Sequence, residues 1–137
     1  MSAAAALARL RPIPNYRIEI RTSPTRGRGV YARGVIAPGT VIEAAPVIII
    51  SPADCPALDR TIIHDYYFHW DGDPEGEGRG ALALGVVTLC NHACRPNARV
   101  ERNFPRHTLD LIASAPIGQG HEVTIDYGCA LWFEPCD

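Results

Sequence analysis

The sequence predicts a single, compact, mostly-β domain. Apolar residues make up 47% of the 137 residues and charged residues 20%, which is typical of a globular domain. A chain of this length can bury one hydrophobic core but is too short for two ordinary domains. Short alternating or β-branched runs recur between clusters of glycine and proline, and little of the chain has the helical period.

The predicted strands of the first half are separated by turn residues. YRIEIR alternates over residues 16–21, and GVYA, residues 29–32, follows the turn SPTRGRG. APGT, residues 37–40, has Pro before Gly and predicts a turn that leads into the strand VIEAAPVIII. Within that strand the run at residues 47–50 is so apolar that we expect it to be buried.

The second half begins with a short helix predicted near residues 59–64, followed by the aromatic strand DYYFHW. DGDPEGEGRG, residues 71–80, has the Asp, Gly and Pro content of an exposed loop. ALALGVVTLC then returns to the core. TLDLIAS, residues 108–114, and EVTIDY, residues 122–127, alternate as strands.

Charge is distributed unevenly along the chain, although the net charge is only -2. Residues 1–34 carry seven arginines and one glutamate, and residues 54–77 carry seven carboxylates and one arginine. All 13 basic residues are arginine. The net charge predicts no direct binding of nucleic acid and no membrane association, so any partner must be recognised through local charge.

The predicted domain organisation is an N-terminal extension at residues 1–14 and one domain at residues 15–137, with an acidic insert at about 54–80. The five cysteines are an odd number and follow no secretory signal, so we expect a reducing compartment. The Ala-rich start is too short for a signal h-region or a membrane span. We predict a cytoplasmic protein in a bacterium and a nuclear one in a eukaryote.

The stretch LCNHACRPNARV, residues 89–100, concentrates polar and thiol side chains in an apolar part of the chain. Three interpretations are open: a metal site, a nucleophilic cysteine beside a histidine, or a rigid polar turn. Cys90, His92 and Cys94 alternate too closely for a usual zinc site. Asn91 and Asn97 are residue types that satisfy the backbone groups of a turn, which favours the third interpretation.

RGRGVYA, NHACRPNA and IGQGHEVTIDYG occur in this order and resemble the three signature blocks of SET-domain protein lysine methyltransferases. The family's G-x-G turn corresponds to residues 27–29, its N-H-S-C-x-P-N block to residues 91–97, and its G-E-E-L-x-x-D-Y block to residues 120–127. The resemblance implies a β-clip-like fold of small curved sheets with a C-terminal pseudoknot. It also implies S-adenosylmethionine as the cofactor and protein-lysine methylation, of a histone or another basic protein, as the activity.

Site residues follow from the same resemblance. Tyr127 would be the catalytic tyrosine, whose phenol orients and electrostatically stabilises the methyl transfer. The side-chain amide of Asn91 and the backbone of His92 would hold the adenosyl end. Gly29 would let the backbone approach the cofactor closely, and Arg28 or a neighbouring residue would meet its methionine carboxylate. Trp132 would pack over the adenine. The substrate channel would contain Tyr67, Ile125 and Phe133, and the aliphatic Ile125 predicts products beyond monomethyl-lysine.

The sequence also departs from the family pattern. Ala93 replaces the usual serine, His121 replaces the first acidic residue of the last block, and the family's C-x-C-x4-C tail is absent. No metal site is therefore predicted. Two alternatives stay open: a SET-like binding module without catalysis, and a small metal-binding structural domain. The apolar edges of a minimal SET core are compatible with a homodimer.

Overall fold

The computed structural model describes residues 17–72 and 77–127. The predicted N-terminal extension, Trp132 and Phe133 lie outside these residues. In the described part, one α-helix, α1 (Cys55–Leu58), and two 3-10 helices (Ile62–Asp65 and Val86–Leu89) accompany nine strands. The strands are β1 (Ile18–Ser23), β2 (Gly27–Ala32), β3 (Val41–Ile50), β4 (Phe68–His69), β5 (Gly80–Ala83), β6 (Asn91–His92), β7 (Ala98–Asn103), β8 (Thr108–Ala113) and β9 (Glu122–Ile125). The mostly-β prediction is confirmed.

A four-stranded sheet in the order β1-β2-β9-β6 combines the beginning and the end of the described chain. β1 and β2 form a hairpin in which the Ser23 hydroxyl accepts hydrogen bonds from the backbone N–H groups of Thr25 and Arg26. Gly27 completes this turn with a φ of 69°, a left-handed conformation that favours glycine. β6 lies parallel to β9, with Asn91 opposite Thr124.

A five-stranded antiparallel sheet in the order β4-β5-β3-β8-β7 forms the rest of the domain. β3 lies at its centre, and its predicted entry turn is confirmed. The Thr40 N–H donates to the Ala37 carbonyl across 3.2 Å, and Gly39 has a φ of 83°. A single bridge between Ile36 and Ile117 joins the segments that follow β2 and β8.

The hydrophobic core is shared by both sheets. Val30 and Val123 from the first sheet and Leu109 and Leu111 from the second are fully buried in one cluster. Burying each such side chain stabilises the fold by about 1.5–3 kcal/mol relative to exposure. Trp70 is also fully buried. No helix of the described residues is long and apolar enough to cross a membrane.

Burial of the whole run at residues 47–50 was a wrong prediction. Ile48 is 52% exposed, because alternate β3 residues face outward from the five-stranded sheet and an exposed Pro46 precedes it on that face. The predicted strand DYYFHW is also shorter than expected, since only Phe68–His69 pairs with β5.

Two elements of the second half differ from the expectation. The helix predicted near residues 59–64 is the 3-10 helix Ile62–Asp65, which the Thr61 hydroxyl caps. The α-helix α1 ends before the predicted range and has Pro56 in its first turn. β7 was not predicted at all. Its sequence ARVERN contains only two apolar residues, which is too few for a clear alternating pattern. It is an edge strand, and its hydrogen bonds to β8 stabilise the extended conformation.

Candidate active site

The pairing of β6 with β9 brings the NHACRPN and EVTIDY motifs together. Beyond the strand pair, the Ala93 N–H donates to the Ile125 carbonyl across 3.0 Å. The carboxamide of Asn97 then binds the β9 backbone twice, accepting from the Thr124 N–H (2.9 Å) and donating to the Glu122 carbonyl (2.8 Å). The side chain of Asn97 thus satisfies backbone groups, as predicted, but those of a distant strand rather than its own turn.

Asn91 connects the strand β2 to β9 through its side-chain amide. Its Nδ2 donates to the Glu122 carboxylate, at 2.6 Å from Oε2, and to the Arg28 carbonyl across 3.2 Å. Because both partners can only accept, the nitrogen of the amide must face them. The oxygen Oδ1 has no hydrogen-bond partner among residues 17–72 and 77–127.

Gly29 lies against this pair. A Cβ at position 29 would come within 2.5 Å of Glu122 Oε2 and 2.9 Å of Asn91 Nδ2. Neither atom could give way without breaking the hydrogen bond between them. Position 29 therefore requires glycine, because any side chain would collide with the Asn91–Glu122 pair.

His92 is held at both its ring and its backbone. The ring Nδ1 accepts a hydrogen bond from the Tyr127 N–H across 3.2 Å, so this nitrogen carries no proton and Nε2 does. The Asp126 carboxylate is 3.8 Å from Nδ1, too far for a hydrogen bond. The His92 carbonyl accepts from Arg26 Nη1 across 3.0 Å. Arg26, rather than Arg28, is thus the arginine whose side chain reaches the polar cluster formed by Asn91, His92, Glu122 and Tyr127.

Tyr127 follows β9 and turns back towards β6. Its hydroxyl donates to the Cys90 carbonyl across 3.1 Å, and its ring centroid lies 5.2 Å from that of His92. The residue remains 39% exposed. Partial burial raises the pKa of the phenol above its ordinary value, so Tyr127 stays protonated at neutral pH.

The Cys90 carbonyl is positioned by the 3-10 helix Val86–Leu89. The Cys90 N–H closes this helix by donating to the Val87 carbonyl, and the helix begins at a carboxylate cap. Both oxygens of Glu43 accept there, from the N–H groups of Val86 (2.9 Å) and Val87 (3.0 Å). A Cβ at Gly85 would lie 2.6 Å from Glu43 Oε1. Burial of the Cys90 side chain raises the pKa of its thiol to about 12.

Among the described residues, no hydrogen bond or ring contact joins Tyr127 to the predicted channel residues Tyr67 and Ile125. The Tyr67 hydroxyl donates to Asp59 across 2.6 Å, and this bond raises the pKa of the phenol. The same Asp59 oxygen lies 3.0 Å from His64 Nδ1. Ile125 is 1% exposed and belongs to the hydrophobic core. The Arg28 side chain is exposed, and its backbone carbonyl is the group that contacts the cluster.

Glu122, Arg26 and Glu43 were not identified as site residues from the sequence. Glu122 could have been found, because it alternates with Thr124 in a motif already selected. Arg26 and Glu43 gave no signal of this kind. Their partners lie 66 and 43 residues away along the chain, and only the tertiary structure brings them together.

The metal interpretation has no support in the part of the chain that the structure describes. Residues 17–72 and 77–127 contain no group of three or more His, Cys, Asp or Glu side chains that could hold a metal ion. Cys90 is buried, whereas Cys94 is exposed. Cys129 and Cys136 lie outside the described residues.

Comparison with known proteins gives a consistent match. Residues 27–128 match the family model of the SET domain. A Schizosaccharomyces pombe histone-lysine N-methyltransferase specific for H3 lysine-37 is 31% identical over 124 residues, covering 90% of this chain and 81% of the relative. A Yarrowia lipolytica enzyme specific for H3 lysine-36 is 31% identical over 118 residues, but this chain spans only 15% of it.

The fold also occurs in solved structures of other proteins. A Plasmodium falciparum protein described as a candidate histone methyltransferase aligns with a TM-score of 0.63 and 27% identity. The alignment covers 85% of this chain and 97% of the other.

Proposed function

The chain belongs to the SET-domain family of protein-lysine methyltransferases, and from this membership we propose that it methylates lysine side chains of histones with S-adenosylmethionine as the methyl donor. When bound, the cofactor supplies an electrophilic methyl group on a sulfonium. The protein must hold this cofactor, admit a neutral lysine amine and align the two.

Polar groups in and next to the cluster fit an S-adenosylmethionine ligand. The sequence pattern assigned the Asn91 amide to the adenosyl end, but its Nδ2 is occupied within the protein. Its Oδ1 is an acceptor without a partner among the described residues, which suits the ammonium group of the amino-acid moiety instead. A guanidinium of the β1–β2 hairpin, that of the exposed Arg28 or of its neighbour Arg26, suits its carboxylate. His92 offers its backbone to the adenosyl end in this proposal, with its carbonyl already oriented by Arg26. These are donors and acceptors of the kind that such a zwitterionic cofactor requires.

Tyr127 acts on the reacting groups by orientation and electrostatics. Its proton is engaged by the Cys90 carbonyl, so the lone pairs of the phenol oxygen are the groups that remain for a substrate amine. Because its pKa is raised, Tyr127 is a poor base at neutral pH. The lysine ammonium must therefore lose its proton to solvent before attack, and the phenol then holds the neutral amine in line.

Exposed carboxylates favour a basic substrate. Asp54, Asp65, Asp71 and Glu77 lie exposed between β3 and β5, and Asp73 and Glu75 of the same acidic insert lie outside the described residues. Histone tails carry clustered lysines and arginines, which such a surface attracts in a salt-dependent manner. A histone substrate would place the enzyme in the nucleus of a eukaryote.

The observation that carries this proposal is the Tyr127–Cys90 hydrogen bond next to the β6–β9 pair, because it fixes a protonated phenol beside the NHACRPN segment. The test is titration calorimetry with S-adenosylmethionine, followed by transfer of radiolabelled methyl groups to core histones. Binding with labelling of histone lysines is expected. Binding without labelling would favour the inactive binding module instead. The enzyme contains no lysine side chain, so its own labelling gives little background.

A further inference from the structure

We propose that Glu122 is a positioning residue for the cofactor, because it fixes the orientation of the Asn91 amide so that Oδ1 faces a bound ammonium group. The inference rests on the proposed function, since that ammonium belongs to the amino-acid moiety of S-adenosylmethionine. Glu122 acts through Asn91 and is not itself a catalytic residue.

The two hydrogens of the Asn91 amide are both used within the protein. One is donated to Glu122 Oε2 at 2.6 Å and the other to the Arg28 carbonyl at 3.2 Å. A flipped amide would direct Oδ1 at a carboxylate and a carbonyl, two acceptors, and would lose both bonds. The charge-assisted bond to Glu122 is the shorter of the two and the stronger by its chemistry.

Asn91 Oδ1 can be reached by a ligand. No buried side-chain nitrogen or oxygen of the described residues lacks a hydrogen-bond partner. Since Oδ1 has no such partner, it is not one of the fully buried atoms, and Asn91 as a whole is only half-buried. An amide oxygen whose nitrogen is fully engaged accepts hydrogen bonds only, so it selects a donor such as an ammonium.

The backbone of Glu122 is held in place. Its carbonyl accepts from Asn97 Nδ2 across 2.8 Å, and β9 pairs Glu122 with Tyr31 of β2. The missing side chain of Gly29 leaves room for the carboxylate at its contact with Asn91. From this anchored backbone the carboxylate makes a short contact with Asn91, and its negative charge also favours a cationic ligand nearby.

The experiment compares two ligands that differ only in the ammonium group: S-adenosylhomocysteine and its analogue in which hydrogen replaces the α-amino group. Calorimetric affinities are measured for the wild type, Glu122→Ala and the isosteric Glu122→Gln. The control is Glu101→Gln, which removes a carboxylate charge from the exposed Arg99–Glu101 pair on β7. Thermal denaturation without ligand checks that each variant is folded.

Glu122→Ala is expected to weaken S-adenosylhomocysteine binding by about tenfold or more, and binding of the deaminated analogue by less than about threefold. Glu122→Gln should show a smaller loss with the same selectivity, because its carbonyl still accepts from Asn91 without a charge. Glu101→Gln should change neither affinity.

Equal losses for both ligands in the Glu122 variants would overturn the inference, since a general structural role affects them alike. Unchanged affinity for S-adenosylhomocysteine, or an equal loss in Glu101→Gln, would also overturn it. Failure of the wild type to bind either ligand would overturn the proposed function itself. This outcome is seen in the wild type alone, so it is distinguishable from a failure of the inference about Glu122.

Discussion

The hydroxyl of Tyr127 donates to the backbone carbonyl of Cys90 across 3.1 Å, while the backbone N–H of Tyr127 donates to the ring of His92. Tyr127 is therefore fixed at both ends by the segment that contains the NHACRPN motif. The phenol has a defined position in the protein alone, before any ligand binds. Such preorganised dipoles stabilise developing charge without further reorganisation.

Tyr127→Phe is expected to lower the methyl-transfer rate by about a hundredfold while cofactor affinity stays within about threefold. The phenol oxygen is lost, but the ring and the backbone bond to His92 remain. Single-turnover kinetics and calorimetry measure the two quantities. Tyr31→Phe is the control. Asn91→Ala should instead weaken cofactor binding. Unchanged turnover in Tyr127→Phe would contradict the assigned role.

Gly29→Ala is expected to disrupt the Asn91–Glu122 pair, because its Cβ would lie 2.5 Å from Glu122 Oε2. We expect a loss of about 1–3 kcal/mol in the free energy of unfolding, together with weaker cofactor binding. Urea denaturation and calorimetry are the measurements. Gly34→Ala is a matched control, since its Cβ would meet no atom within 4 Å. Equal stability of the two variants would refute the proposed contact.

Glu43→Ala is expected to lower the free energy of unfolding by about 2 kcal/mol, because two backbone N–H groups lose a charged acceptor. These are the N–H groups of Val86 and Val87 at the start of the 3-10 helix that ends at Cys90. Urea denaturation measures the change. Glu101→Ala, at an exposed ion pair, should cost less than about 1 kcal/mol. A similar small cost for Glu43→Ala would show that water replaces the cap.

Stability should fall at alkaline pH because of Cys90. The folded state raises the pKa of this thiol from 9.0 to about 12, so it binds the proton more tightly than the unfolded chain does. The stabilisation is complete below pH 9.0 and is lost as the pH rises from there towards about 12. From about pH 8 to about pH 10, the free energy of unfolding should drop by about 1 kcal/mol more in the wild type than in Cys90→Ala. Parallel pH profiles would contradict this.

The product is expected to proceed beyond monomethyl-lysine. Ile125, two residues before Tyr127, is an aliphatic side chain buried in the core, so this position offers no hydroxyl to retain a water that would obstruct a methylated amine. Mass spectrometry of a histone peptide during a long reaction distinguishes one added methyl group from two or three. Accumulation of the monomethyl product alone would refute the argument from Ile125.

The sequence by itself determined the fold class and the motifs that meet in the site. Alternating strands, the turn at residues 37–40 and the order of the three blocks all depend on local residue types, which are readable along the chain. Asn91, His92 and Tyr127 were predicted as site residues in this way. In the described structure, His92 contacts Tyr127 through its ring, and β6, which contains Asn91 and His92, pairs with β9 just before Tyr127.

Only the tertiary structure decided which groups engage these residues. Glu122 and the Arg28 carbonyl orient Asn91, and Arg26 binds the His92 carbonyl. The edge strand β7 is stabilised by its pairing with β8. Ile48 is exposed although its local sequence is as apolar as that of the core, because its place on β3 directs it outward. Hydrogen bonds and burial between distant segments depend on the register and topology of the sheets, and no local pattern encodes these.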